Sequence, residues 1–444
     1  MEQFIDSFVG LFRQPPIFLG FVALLGLTLQ KKSVSNIAKG TFKTIIGMII
    51  LMKGVGIVIE GINPLAGAFN KIFALEGASE LGDFTEFLEI NGSTVGMVLL
   101  IGFVLNILIA RFTRFKTIFL TGNILFWMPM LFIAVGIENK LHSIGLVTFA
   151  VIFHILYVVL VPHFMRPHVK QVTGNEMFTV GHTAAIYCFI GSYIGKFIGD
   201  KENSTEKLNL PKSFEFFRET TLTSGIVIAV VYLIVGAVDT SNFASENLLS
   251  FSIINGMTFA AGMLILLQGT RMMLGEIVPA FKGISDKLAP GSIPALDIPM
   301  IFPFAPTALL LGFVVSTTTS IVSIFIFGYM GVFKVAIIPL TVACYFDVAP
   351  GAIFANAYGG KKAAILTSAL SGVIMVILVG ISLPIVSNTV GTFVQAYGGN
   401  DFSLWIILAS VVATNKVLGA IVIGIVLAVI EFTSRKRSKL AIQN

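Results

Sequence analysis

Charge is what this sequence lacks most. Of its 444 residues only 12% are Asp, Glu, Lys or Arg, against 56% apolar residues and a mean hydropathy of +0.93. Soluble domains carry about 25% charged residues, so the composition excludes a soluble globular protein and defines a polytopic membrane protein. Cysteine is nearly absent as well. Cys188 and Cys344 both lie in apolar stretches, which excludes a disulfide framework and a cysteine metal site. No nucleotide-binding P-loop, catalytic triad or zinc spacing occurs. No polar segment is long enough for a catalytic domain, and no cofactor is expected. The first residues lack a cationic n-region and a small-residue cleavage site, so no removable signal peptide is expected. The net charge of +6 falls in short interhelical loops, which argues against nucleic acid as a partner.

What is present is a series of apolar runs of about the 20 residues that span a bilayer. They cover Pro15–Gln30, Thr44–Gly61, Val95–Phe112, Thr117–Gly136, Leu141–Val161, Glu219–Asp239, Phe251–Thr270, Thr307–Gly328, Phe333–Pro350, Lys362–Leu383 and Ser403–Phe432. Gly and Pro interrupt some of the eleven, which marks those as candidate hairpins. Basic residues follow alternate spans: Lys31 and Lys32, Arg111 and Arg114, Arg166 and Lys170, Arg271 and Lys287, Lys361 and Lys362, Arg435 and Lys436. The positive-inside rule puts those loops in the cytoplasm. An outside N-terminus, eleven spans and an inside C-terminus satisfy every loop, including the acidic stretch Glu76–Glu89. Two further segments, Phe178–Gly199 and Asp347–Gly360, are expected to be re-entrant, and Lys201–Arg218 reads as a cytoplasmic linker.

The two halves look related. Each has a Gly-rich helix, around Lys53-Gly54 and Gln268-Gly269, followed by a broken polar segment, Leu120–Asn123 and Leu296–Pro299. The five-span offset predicts inverted repeats over 40–200 and 255–362, with interdomain helices between and after them. Such repeats place a binding site near the midplane at discontinuous helices.

Candidate site residues follow from the scarcity of charge. Asp297 sits between Pro294 and Pro299, and an ionisable group at membrane depth is expensive and usually functional. It reads as an acceptor for ligand hydroxyls, with the cap of a broken helix as the structural alternative. His182 follows Gly181 in a broken segment; taken alone, a satisfied structural histidine is the commoner outcome. Thr121-Gly122-Asn123 with Trp127 offers an amide and an aromatic plate, although Trp127 equally suits a helix interface. Lys53 is flanked on both sides by long apolar runs, with Asp297 as one candidate partner.

The stretches Lys39–Gly47, Lys116–Gly122, Val180–His182, Leu288–Asp297 with Phe304–Pro306, and Phe354–Gly360 resemble the ascorbate-specific IIC permeases of the phosphotransferase system, in order and over nearly the whole chain. The resemblance implies a homodimer of all-α protomers in the bacterial inner membrane. Each protomer would have eleven spans plus re-entrant hairpins, a V-shaped dimerisation domain and an elevator-type core domain. It implies import of a sugar, L-ascorbate first, phosphorylated by a separate IIB protein that is itself charged by IIA. Asp297 and His182 keep the family pattern. Asn123 stands where the family has His, Trp127 and Thr183 where it has Gln, and Lys53 where it has a small neutral residue. Lys53, with Gly54 and Val55 beside it, joins Asn123, Trp127 and Thr183 in shaping the expected pocket. Those departures open a different sugar or sugar acid as substrate. The competing class is an ion-coupled secondary transporter of a small polar solute, in which Asp297 would be the coupling site.

Overall fold

A computed structural model describes residues 14–61, 84–208, 220–238, 247–333 and 341–414, with single positions at 64, 65, 68, 81, 82 and 337. The acidic stretch from Lys71 to Glu80, the linker beyond position 208, most of 334–340 and the basic tail from Arg435 lie outside the described residues.

The apolar runs become helices: α1 (Pro15–Leu29), α2 (Val34–Glu60), α3 (Phe84–Phe112), α4 (Gly122–Glu138), α5 (Ser143–Thr173), α6 (Ala185–Phe197), α7 (Thr220–Val238), α8 (Leu248–Lys287), α9 (Pro306–Tyr329), α10 (Ala349–Ser382), α11 (Gly391–Tyr397) and α12 (Asp401–Thr414). Among the described residues, five helical runs, in α3, α5, α8, α9 and α10, are long and apolar enough to cross a membrane. The chain is a mostly helical multi-pass membrane protein. Helices α1, α2, α7 and α8 pack chiefly on one another, while α3 to α6 and α9 to α12 gather together.

The centre of that second group is a small parallel sheet that the sequence patterns do not announce. Strands β1 (Thr117–Phe119) and β2 (Thr179–Val180) flank β3 (Ile293–Leu296) in the order β1-β3-β2. Each strand enters from the C-terminal end of a long helix, α3, α5 or α8, where basic residues cluster. Helix ends leave carbonyls unsatisfied, and two of the cations serve them. Lys116 Nζ donates to Ala110 O and Arg111 O at 2.9 and 3.0 Å, and Arg111 Nη1 donates to Leu288 O at 2.7 Å. The second contact ties the ends of α3 and α8 together, so β1 and β3 start side by side and run the same way. These are the two broken segments matched across the expected repeats.

The sheet also solves a solvation problem. Irregular backbone at membrane depth must find partners within the protein. Leu120 N–H donates to Ala295 O and Gly181 N–H to Leu296 O, each at 2.9 Å. The outer edge of β1 is closed by Asn106 on α3, which accepts from Phe119 N–H at 2.8 Å and donates to Thr117 O at 3.2 Å. Expected as one span from Thr117 to Gly136, this region is instead strand plus helix. The 17 residues of α4 rise only about 26 Å, short of the roughly 30 Å hydrocarbon core. Both α4 and α6 therefore begin inside the protein, at the end of a strand.

The stretch Asp347–Gly360, expected as a hairpin, is a helical arm. It follows a π-helical turn at Cys344–Val348 and ends where Gly360 (φ 65°) kinks α10. This arm lies against α6 with almost no side chain between them. A Cβ at Gly191 would stand 2.1 Å from Gly351 O, and one at Gly199 (φ +101°) 2.0 Å from Gly359 O. The loop after α6 then binds the tip of the arm. Asp200 N–H donates to Gly359 O, Lys361 N–H to Asn203 O and Thr205 N–H to Asn356 Oδ1. Glu206 accepts from the N–H groups of Thr307 and Ala308 at 3.3 and 3.0 Å, capping α9.

Candidate functional site

Three parallel strands pointing the same way deliver three sequence stretches to one place. Immediately after β1 come Thr121, Gly122 and Asn123, after β2 Gly181, His182 and Thr183, and after β3 Asp297. The N-terminal turns of α4, α6 and the 3-10 turn Ile298–Met300 start there, and the positive end of the α6 dipole is met by Asp401, which accepts from Ile186 N–H. Asp297 caps its own turn, accepting from Ile298 N–H at 2.8 Å. The cap reading of Asp297 is thus seen, and the residue also belongs to a polar cluster.

His182 is the hub of that cluster. Its Nδ1 accepts from Ala184 N–H at 3.1 Å, so in the neutral ring the proton resides on Nε2. Nε2 lies 3.4 Å from Asp297 Oδ1. On the other side of the ring, Nδ1 is 3.6 Å from Asp347 Oδ1 and 3.4 Å from Thr183 Oγ1. Thr183 Oγ1 donates to Asp347 Oδ1 at 2.5 Å, and Asn400 caps α12 by accepting from Phe402 N–H at 3.0 Å. Asp297, His182, Thr183 and Asp347 are all at most 7% exposed. Nearby, Asp401 ties α12 to the start of α6. Its Oδ1 accepts from Ile186 N–H at 2.9 Å, and its own N–H donates to Thr183 O at 3.0 Å. Tyr157 OH donates to Asp401 Oδ2 at 3.4 Å.

Of the residues expected from sequence, Asp297, His182 and Thr183 are thus brought into direct or near contact. Asn123 stands half-buried on the first turn of α4, and Trp127 half-buried one turn further on. The Trp127 ring packs edge-on against Phe126 (5.0 Å between centroids) and Phe84 (6.0 Å), and tilted against Phe393 (5.0 Å). Its cluster joins α3, α4 and α11. Truncation to Ala is expected to lower stability by about 3 kcal/mol, to be read as a fall in melting temperature in detergent. Lys53 is not brought to Asp297. It is exposed on α2, which packs on α8 and α1, and no ion pair joins it to Asp297. Gly54 is buried beside it, and the side chain of Val55 lies outside the described residues.

The residues that sequence reasoning left out are Asp347, Asp401 and Asn400. The signal that singled out Asp297, a carboxylate inside an apolar run, was present at Asp347 too. Asp401 was harder to see, because its partners are more than 200 positions away in the chain.

The described residues thus make a multi-pass membrane protein with buried carboxylates and an imidazole gathered at the ends of three short strands. The model of one family, the PTS system sugar-specific permease component (EIIC-GAT), matches residues 10–400. The chain belongs to that family: it is the membrane IIC component of a sugar phosphotransferase system, with a sugar as substrate and a IIB protein as partner. A relative from Mycoplasma pneumoniae (strain ATCC 29342 / M129 / Subtype 1), described as an ascorbate-specific PTS system EIIC component, is 27% identical over 448 residues. The match covers 87% of this chain and 67% of the relative.

Proposed function

We propose that this IIC component binds its sugar at the strand ends around His182 and Asp297 and delivers it to the cytoplasmic face for phosphorylation by IIB. The observation that carries the reading is the convergence of His182 and Thr183 with Asp297 from two segments far apart in the chain, within a matched permease family. Asp297 would accept ligand hydroxyls, His182 Nε2–H would donate to a ligand oxygen in place of Asp297, and Asn123 and Trp127 would border the ligand. Helices α1, α2, α7 and α8 would form the dimerisation domain, and the remaining helices the moving core. Lys53, Gly54 and Val55 would then lie on the stationary side of the path. The N-terminus would face outward, and the basic loop around Lys201 and Lys207, with Arg271 and Lys287 on the C-terminal half of α8, would receive phosphorylated IIB in the cytoplasm of a bacterial inner membrane.

L-Ascorbate is the first ligand to try, from the name of the M. pneumoniae relative. A different sugar is the second reading, favoured by Asn123, Trp127 and Thr183, which replace the polar side chains that the family pattern has there. A site that loses hydrogen-bonding partners changes its ligand preference strongly. Reconstituted protein should take up radiolabelled sugar when phosphorylated IIB is enclosed in the vesicles, and Na⁺ or H⁺ gradients should be without effect. Gradient-driven uptake in the absence of IIB would establish the competing secondary-transporter class instead.

A further inference from the structure

Helix α6 starts without a cap of its own. Its N-cap position is Ala184, which makes no side-chain cap because it has no side-chain acceptor, and Ala is among the poorest residues there. The missing acceptor comes from 215 positions further along the chain. Asp401, at the start of α12, accepts from Ile186 N–H on Oδ1 at 2.9 Å and donates its own N–H to Thr183 O at 3.0 Å. Asp401 is itself held. Its Oδ2 accepts from Tyr157 OH at 3.4 Å, and the Tyr157 ring lies against Phe119 of β1 (5.8 Å) and Trp405 of α12 (5.4 Å). Beside it, Tyr187 OH donates to Gly399 O. The turn gripped in this way is His182-Thr183-Ala184, and Ala184 N–H is the group that donates to His182 Nδ1 at 3.1 Å.

We infer that Asp401 is a positioning residue for the sugar site: by capping α6 from α12 it keeps Ala184 N–H on His182 Nδ1 and so keeps the ring proton on Nε2, the nitrogen that faces Asp297. The inference rests on the reading of the His182 cluster as the sugar site. Asp401 acts without touching the ligand, since it is 2% exposed and its side-chain oxygens are taken by Ile186 N–H and Tyr157 OH. The chain of cause is short. The first turn of a helix has N–H groups without intrahelical partners, and it frays when no cap takes them. In the frayed turn Ala184 N–H leaves Nδ1, and a neutral imidazole then carries its proton on either nitrogen. Only the Nε2–H form offers a donor beside Asp297 Oδ1, 3.4 Å away. A site that is correctly formed for a fraction of the time binds with its affinity reduced by that fraction. The presentation of His182 thus depends on the seating of α12.

The test uses purified full-length protein in detergent and has two readouts. One is the nitrogen-15 spectrum of the histidine rings, the His182 signals being those lost in His182→Gln. The other is equilibrium binding of radiolabelled L-ascorbate. The wild type should show His182 in the Nε2–H form. Asp401→Ala, which removes the acceptor, should show both tautomers and bind roughly tenfold more weakly, the scale of one lost N-cap. Asp401→Asn keeps an oxygen for Ile186 N–H and should stay within about threefold of the wild type. Ala184→Ser supplies a cap in place, because an N-cap hydroxyl reaches the N–H two positions on. Added to Asp401→Ala, it should restore both the tautomer and the affinity, and it is the second variant if Asp401→Ala alone does not fold. A role confined to packing would leave the tautomer unchanged in Asp401→Ala, or leave Ala184→Ser without effect on it; either result would overturn the inference. The ring spectrum decides the positioning of His182 whether or not L-ascorbate is the sugar. A changed tautomer with unchanged ascorbate binding would count instead against the sugar-site reading, which keeps the two failures distinguishable.

Discussion

Asp297→Asn is expected to abolish sugar binding at ligand concentrations that saturate the wild type. The substitution keeps size and leaves an oxygen for Ile298 N–H, which now donates to Oδ1 at 2.8 Å, so the 3-10 turn after β3 should persist. What changes is the outer face of the group. A carboxylate that accepts from ligand hydroxyls and stands 3.4 Å from His182 Nε2 becomes an amide that presents either a neutral oxygen or two donors. Hydrogen bonds to charged groups contribute about 1.5–3 kcal/mol each. Losing one or two of them corresponds to roughly a hundredfold in affinity. An unchanged melting temperature together with lost binding would locate the effect in the site. Wild-type affinity in a folded Asp297→Asn protein would show that the ligand binds elsewhere.

The second large effect is on the fold. Gly191→Val should leave the protein unable to assemble around its sheet, seen as loss of monodisperse protein in detergent. The new side chain would begin 2.1 Å from Gly351 O, a backbone atom on a helix that cannot move aside alone. The same arm of α10 directly follows the π-helical turn that carries Asp347 and is held at its tip by Asp200, Asn203 and Thr205. Overpacking usually costs about 1–3 kcal/mol. Here the clash is backbone against side chain along the seam that joins α6 to the arm of α10, so a larger loss is expected. Gly191→Ala, with one methyl at the same point, should still fold less stably than wild type. A thermally normal Gly191→Val protein would mean that α6 and α10 do not pack as described.

Much of this was legible in the sequence, and the residues that escaped did so for definable reasons. Long apolar runs made the membrane class plain, because hydrophobic length is a direct consequence of bilayer thickness. The break at Leu296–Pro299 could be read from Pro within apolar surroundings. The sheet could not. Strands of two to four residues are too short to show an alternating pattern, and their pairing joins positions some 115 to 175 apart. His182 and Asp297 were found as isolated oddities, while their contact is a product of that pairing. Lys53 shows how little an apolar run says about where a side chain points. A lysine inside an apolar run invites a buried partner, yet a long side chain on a helix face can reach the surface, and here the residue is exposed. Asp347 was passed over because it opened a segment already explained as a hairpin.

The central claim is that the chain is the membrane component of group translocation, with its sugar held at the His182–Asp297 strand ends. The most direct measurement is the chemical form of the solute that accumulates inside vesicles containing the wild-type protein and phosphorylated IIB. Mass spectrometry should find the sugar phosphate, and Asp297→Asn vesicles should contain none. Accumulation of unmodified sugar against its gradient, or equal amounts of sugar phosphate with the Asp297→Asn protein, would contradict the account.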